Sequence, residues 1–232
     1  KVNTGTTFSI GSNIITLKSD NNKTARMARV EGTVTDALAG GHYIVERYIP
    51  AHDPPKRAWR FITAPVISTQ SVNAAWQEGA AASTSGATPP STAANQDPNP
   101  GYGTHISGTG AALNGFDQTP LNNPSVKFYD PINNIWDGIP TTSIALTTHK
   151  GYMNFVRGSR SYPISTTTAL TAPTSTILRA KGNLRTYAQS FSGSSWQVIG
   201  NPYASAINLH NTIKTGTVTD AYYVWDPLIA SP

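Results

Sequence analysis

Apolar and polar side chains alternate along short stretches of this chain, and glycine, proline and asparagine cut the stretches off. The alternation runs through ARMARVEGTVT (25–35), HYIVERYI (42–49), WRFITAPV (59–66), YMNFVRG (152–158), TILRAKG (176–182), LRTYAQSF (184–191), WQVIG (196–200) and AYYVW (221–225). A period of two sends successive side chains to opposite faces of a sheet, so each stretch predicts a half-buried strand. FSI (8–10) and NIITLKS (13–19) flank Gly11 and Ser12 and predict a short N-terminal hairpin. Helical signals are confined to two places, where Ser71 can cap VNAAWQEGAAA and Ser205 can cap AINLHNTI. The expected fold is all-β, with stacked, sandwich-like sheets and one or two short helical turns.

The pattern also suggests an internal duplication. Trp59 precedes Pro65 by six positions, Trp196 precedes Pro202 by six, and each unit later reaches an aromatic-Asp-Pro triplet, Tyr129-Asp130-Pro131 and Trp225-Asp226-Pro227. The expectation is one β-rich module over 1–232 made of two degenerate repeats, with halves at 1–137 and 138–232. Between the strands lies GAAASTSGATPPSTAANQDPNPGYGT (79–104), rich in small residues and proline. Such a segment gains little from burial, so contact with a neighbouring molecule is expected to order it.

Composition narrows the function. Charged residues make up 12% of the chain and there is no cysteine, so its polarity resides in hydroxyl and amide groups, and neither disulfides nor thiolate metal sites can hold it together. That balance suits an extracellular β protein better than a cytosolic enzyme. The net charge of +5 comes from small dispersed groups: Lys23, Arg26 and Arg29; Lys56, Arg57 and Arg60; Arg157 and Arg160; Arg179, Lys181 and Arg185. No nucleic-acid reading motif accompanies them, so solvated strand faces are the expectation and nucleic acid is not an expected partner. No apolar run reaches the length of a transmembrane helix. Beginning at Lys1 without a methionine or an apolar leader, the chain reads as a processed or excised piece of a longer protein.

Catalytic constellations are sparse. The glutamates are Glu31, Glu46 and Glu78; the first two sit in strand-like runs that suit surface ion pairs, and Glu78 reads as a solvent-exposed helix end able to meet a sugar beside Trp76. His42, His52, His105, His149 and His210 lack zinc-motif spacing, and His105 in GYGTHISGTG reads as a structural imidazole. No enzyme is expected. In YDPINNIWDG, Asp130, Asn133, Asn134 and Asp137 offer hard oxygen ligands that would suit calcium, although Asn and Asp in a turn need no metal. No other cofactor is indicated. Among the aromatics, Trp76 and Tyr102 are the candidates for an exposed carbohydrate-stacking surface, while Trp59, Trp136, Trp196 and Trp225 are expected in the core.

Longer strings carry a family resemblance. FSIGSNIITLKSDNNKTARMARVEGTVT (8–35), VERYIPAHDPPKRAWRFITAPV (45–66), SVNAAWQEG (71–79), DPNPGYGTHISG (97–108), GFDQT (115–119), KGYMNFVRGSRS (150–161) and WQVIGNPYASAIN (196–208) resemble segments of large secreted proteins of Bacteroidetes. The resemblance is to the β-rich region shortly before a C-terminal type IX secretion sorting domain. It implies export and an extracellular or cell-surface location, and implies no catalytic residues. The chain ends at Pro232, soon after YYVWDP, where such proteins continue, which suggests a trimmed fragment. The expected function is a non-catalytic structural or adhesive module, self-associating or joining other surface proteins in a filament or surface layer. The alternative is a carbohydrate-binding module that uses Trp76 and Tyr102.

Overall fold

The computed structural model describes residues 1–35, 42–51, 58–83, 98–147, 149–160, 174–193, 195–219 and 221–224. Nine short strands follow one another among them: β1 (Thr7–Ser9), β2 (Ile14–Leu17), β3 (Thr33–Thr35), β4 (His42–Ile49), β5 (Ala58–Ile62), β6 (Val126–Asp130), β7 (Ile135–Gly138), β8 (Tyr152–Val156) and β9 (Thr176–Gly182). The single α-helix among them, α1 (Val72–Trp76), and 3₁₀ turns at Ala111–Asn114 and Leu209–Asn211 complete an all-β fold. No helix of the described residues is long and apolar enough to cross a membrane.

Two sheets share one core. In the first, β2 runs parallel to β4, and β9 lies antiparallel on the other side of β4. Its register sets Tyr43 opposite Gly182 and Val45 opposite Ala180, so Tyr43, Val45, Ile49, Leu178 and Ala180 line one apolar face. In the second, the order is β5-β8-β6-β7, all antiparallel, and Val126, Tyr152 and Val156 point inward. The helix α1 supplies Val72, Ala75 and Trp76 to the same core, where the Trp76 ring meets Tyr152 edge-on at 5.5 Å. Burying aromatic and branched side chains of this size contributes roughly 1.5–3 kcal/mol each.

Several boundaries match the alternation, notably β4 and β9, and others depart from it. The expected N-terminal hairpin does not form, because β1 pairs with β3 and β2 with β4, both in parallel. Gly11, at φ 58°, instead turns the chain from the two-stranded ribbon of β1 and β3 into the sheet of β2, β4 and β9. Ser71 does cap α1, its Oγ accepting the Ala74 N–H at 3.1 Å. The second helical signal is displaced: Asn208, not Ser205, caps the turn at Leu209–Asn211. No strand forms over 184–191 or 221–224. In the first of these, Leu184 is buried and Tyr187 is exposed, so the alternation meets no neighbouring strand to complete it.

The two tryptophan-proline segments take different structures. Trp59 lies in β5 and pairs with Phe155 of β8, whereas residues 196–203 make only an isolated bridge between Ile199 and Lys150. Both main sheets also mix strands from the two expected halves, since β8 and β9 complete sheets begun before residue 138. The shared spacing therefore does not carry a shared strand; the second triplet, Trp225-Asp226-Pro227, lies outside the described residues.

Residues 84–97 of the long excursion also lie outside the described residues, but both of its shoulders are bonded to their own chain. The Gly103 N–H donates to the Ile177 carbonyl at 2.9 Å, the Ile177 N–H to Gly101 at 3.1 Å, and the Thr104 N–H to Trp76 at 2.8 Å. On the other side, the Ser83 N–H donates to Asp117 at 2.9 Å. The described shoulders of 79–104 are thus bonded within their own fold, because backbone groups on both sides find partners there, and the expected contact with a neighbouring molecule is left to residues 84–97.

Candidate functional site

The outer face of the four-stranded sheet gathers aromatic side chains. In β5 the alternation that sends Ile62 inward sends Trp59 and Phe61 outward, and the register carries them beside Phe155 and Met153 of β8. Met153 faces Lys127 of β6, and Tyr129 faces Trp136 of β7, which extends the same face across all four strands. Ring centroids lie 5.4 Å apart for Trp59 and Phe155, 5.4 Å for Phe61 and Trp136, and 5.5 Å for Tyr129 and Trp136. Phe61 is 42% exposed and the other rings are half-buried. Lys127 places its ammonium 5.3 Å from the Trp59 ring, and the Arg157 guanidinium lies 5.0 Å from Phe155. Asp130 and Asp137 alternate to the opposite face. The result is a tilted aromatic surface with cations in and beside it.

The residues expected to stack on sugars lie elsewhere. Trp76 is 2% exposed and its ring belongs to the core, because α1 packs that side of the helix against β8 and β9. Tyr102 forms a parallel bridge with Ile177, and its ring is covered by the Arg179 guanidinium at 4.3 Å. Conversely Trp59 and Trp136, expected in the core, are half-buried on the outer sheet face. Trp196 is 63% exposed and meets Tyr223 edge-on at 5.2 Å.

Glu78 is neither solvent-exposed nor open to a ligand. Arg179 Nη2 donates to its Oε2 at 2.6 Å, Arg179 Nε reaches both of its oxygens at 3.0 Å, and Asn99 Nδ2 donates to Oε2 at 3.1 Å. Burial pushes the Glu78 carboxyl above the ordinary range, and the Arg179 contacts oppose that rise. Burial alone would lower the Arg179 guanidinium, but the hydrogen bonds and charge of Glu78 outweigh it and leave it raised. We take the pair as ionised, since a bidentate guanidinium-carboxylate contact of this length favours the charged forms. Glu46, cross-strand from Arg179, is also buried and accepts the Ser19 N–H at 3.1 Å rather than forming a surface ion pair. Glu31 does form one, with Lys1 at 3.0 Å and Arg29 at 3.4 Å.

A fully buried polar cluster holds the loops above α1. Asp117 Oδ2 accepts Arg160 Nη1 at 2.7 Å, and Oδ1 accepts Nη2 at 2.9 Å. Gln77 Nε2 and the backbone N–H groups of Ser83 and Ile106 also donate to this carboxylate, at 3.0, 2.9 and 2.9 Å. His105 Nδ1 lies 3.3 Å from Oδ2. Burial would raise the Asp117 carboxyl, but the His105 contact and the Arg160 charge hold it well below the usual carboxylate range. His105 thus packs in a structural network, and this carboxylate is fully committed to loop contacts. No short sequence motif announces the cluster, because its members come from separated segments.

The turn considered for calcium closes on itself. Asp130 Oδ1 accepts the Ile132 N–H at 2.8 Å, and Oδ2 accepts Asn133 Nδ2 at 2.7 Å. The Asn133 side-chain bond, then the Ile132 N–H, holds the Asp130 carboxyl below its ordinary value. Asp137 sits across the hairpin in β7, opposite Phe128, and Asn134 adopts φ 56° to make the turn. Asp130, Asn133 and Asn134 are therefore accounted for by the Asx geometry of a hairpin.

Comparison with family models, curated proteins and solved structures finds no match to this chain. The signal for the outer face was present in the sequence as large apolar side chains two positions apart, Trp59 with Phe61 and Met153 with Phe155. Expecting Trp59 and Trp136 in the core of the two repeats points away from that face.

Proposed function

We propose that this chain is a non-catalytic adhesive module of a secreted bacterial surface protein, and that it holds carbohydrate on the outer face of its four-stranded sheet. One observation carries the reading: Trp59, Phe61, Tyr129, Trp136 and Phe155 share that face with Lys127. Aromatic faces cover the apolar C–H side of a sugar ring with little loss of side-chain entropy, and a neighbouring ammonium donates to hydroxyl or acidic groups. The non-catalytic part of the reading is supported by the commitment of buried Asp117 to Arg160 and buried Glu78 to Arg179. A hydrolase would need such groups facing substrate.

The test is a panel of immobilised polysaccharides probed with wild type, Trp136→Ala and Lys127→Ala. These side chains lie on the outer face, so the variants should melt close to wild type. A reduction of roughly tenfold or more in affinity is expected. Unchanged binding by both variants, or turnover of any polysaccharide by wild type, would overturn the reading.

A second reading, assembly into a filament or surface layer, is favoured by the two-stranded parallel sheet of β1 and β3. An isolated two-stranded ribbon is marginal, and a strand from another copy would complete it. Concentration-dependent sedimentation, abolished by a proline in place of Phe8, would support assembly; a monomer at every concentration would exclude it.

A further inference from the structure

Two of the dispersed basic groups are brought together by the fold. A cleft of about 570 Å³ lies between residues 26–30 on one side and residues 184–188 and 203–206 on the other. One bond ties the two sides, the Met27 N–H donating to the Ala204 carbonyl at 2.9 Å, and another holds the second side together, the Tyr203 hydroxyl donating to the Tyr187 carbonyl at 3.1 Å. Leu184 and Ala204 are buried at its base. Arg26, Arg29 and Arg185 all line it, and among the described residues no acidic side chain does.

The cations are unevenly compensated. Arg29 leans towards Glu31 at 3.4 Å, and Glu31 is shared with Lys1. No acidic partner is seen for Arg26 or Arg185 among the described residues. Arg185 stacks over Tyr187 with its guanidinium 4.8 Å from the ring centroid, and its Nε is buried without an acceptor there. The Nε edge of that half-buried guanidinium is withdrawn from water and its plane is held against Tyr187, so an arriving anion has less to order. Guanidiniums gathered at one cleft repel one another until an anion enters, and their planar forks match the oxygens of a carboxylate or sulfate. The volume is that of a small-molecule site, and two tyrosines line it.

We infer that this cleft binds an acidic sugar unit, with Arg185 and Arg26 on its carboxylate or sulfate and the Tyr187 and Tyr203 side of the cleft against its pyranose ring. The inference is independent of the outer sheet face and would stand if that face bound nothing.

The experiment titrates the full chain with trigalacturonic acid, with its fully methyl-esterified form and with a sulfated galactan trisaccharide, following heat and amide NMR shifts. Binding of one or both acidic trisaccharides is expected, with shifts centred on residues 26–30 and 184–188; which acid binds decides between carboxylate and sulfate. The neutral ester should not bind. Arg185→Gln and Arg26→Gln should each weaken binding roughly tenfold or more. Arg26 is exposed, so its variant reports on binding even if Arg185→Gln disturbs folding. Leu113→Ala, at an exposed turn that does not line the cleft, should bind as wild type. The inference fails if neither acidic trisaccharide binds at millimolar concentration, if the ester binds equally, if both arginine variants match wild type, or if affinity follows Trp136 instead.

Discussion

At Asp117 a single carboxylate organises four loop segments, and its removal should be felt throughout the fold. Asp117→Asn leaves the Arg160 guanidinium buried with no opposite charge, a class of change that costs about 3–5 kcal/mol. That is a large part of the roughly 5–15 kcal/mol available to a domain, so the variant should unfold at markedly lower urea or fail to fold. The pH dependence has a definite sign. A carboxyl whose folded value is depressed contributes stability above its unfolded value, near 3.9, and loses it as pH falls through the folded value. Glu78 works in the opposite direction: burial raises its folded value, so falling pH stabilises the fold through that group until the unfolded value, near 4.3, is passed. Melting temperature should therefore hold or rise slightly on mild acidification and drop steeply below about pH 4. A wild-type melt that stays level down to pH 2 would show that Asp117 is not the acid-sensitive group.

Elements in this chain depend on local chemistry more than on length. Replacing Ser71 with alanine removes the side-chain acceptor at the start of a five-residue helix and should cost about 1 kcal/mol, read by urea denaturation. In the centre of β8, Asn154 is fully buried and neither side-chain amide atom has a hydrogen-bond partner among the described residues. Asn154→Leu should therefore stabilise the protein by about 1–3 kcal/mol, and a lower melting temperature would show that the amide is satisfied in solution. These same elements show how far the sequence could be read. The strands β4 and β9 were legible to the residue because HYIVERYI and TILRAKG are runs rich in β-branched, aromatic and other apolar side chains, and they pair with each other. The N-terminal pairing was not, because a period of two fixes faces but says nothing of partners, and Phe8 and Ile15 found parallel neighbours instead of each other. The hairpin of β6 and β7 was seen only as a turn, since VKFYD and IWDG are too short to register alone. The outer aromatic face needed the cross-strand register to become visible, and the basic cleft needed the bond between Met27 and Ala204.

For the whole molecule, the long excursion decides whether order comes from within or from a neighbour. Its sequence over 84–97, TSGATPPSTAANQD, has no large apolar side chain, so it can contribute little to the common core. Its shoulders differ. The Ser83 N–H donates to Asp117, the Gln118 N–H donates back to the Ser83 carbonyl at 2.7 Å, and Gly101 and Gly103 are laddered to Ile177. Replacing 84–97 with a short Gly-Ser linker should consequently leave stability within about 1 kcal/mol of wild type. A deletion of 82–98 removes Ser83 as well and leaves the buried Asp117 carboxylate short of one donor, and a hydrogen bond to a charged group is worth about 1.5–3 kcal/mol. The longer deletion should therefore melt several degrees below the shorter one, although the two differ by only a few residues of loop. Sedimentation of the same pair separates the other question. If the excursion serves assembly, both deletions lose self-association while only the longer one loses stability; if 84–97 alone destabilises the chain as much as 82–98, its shoulders do not hold the fold by themselves.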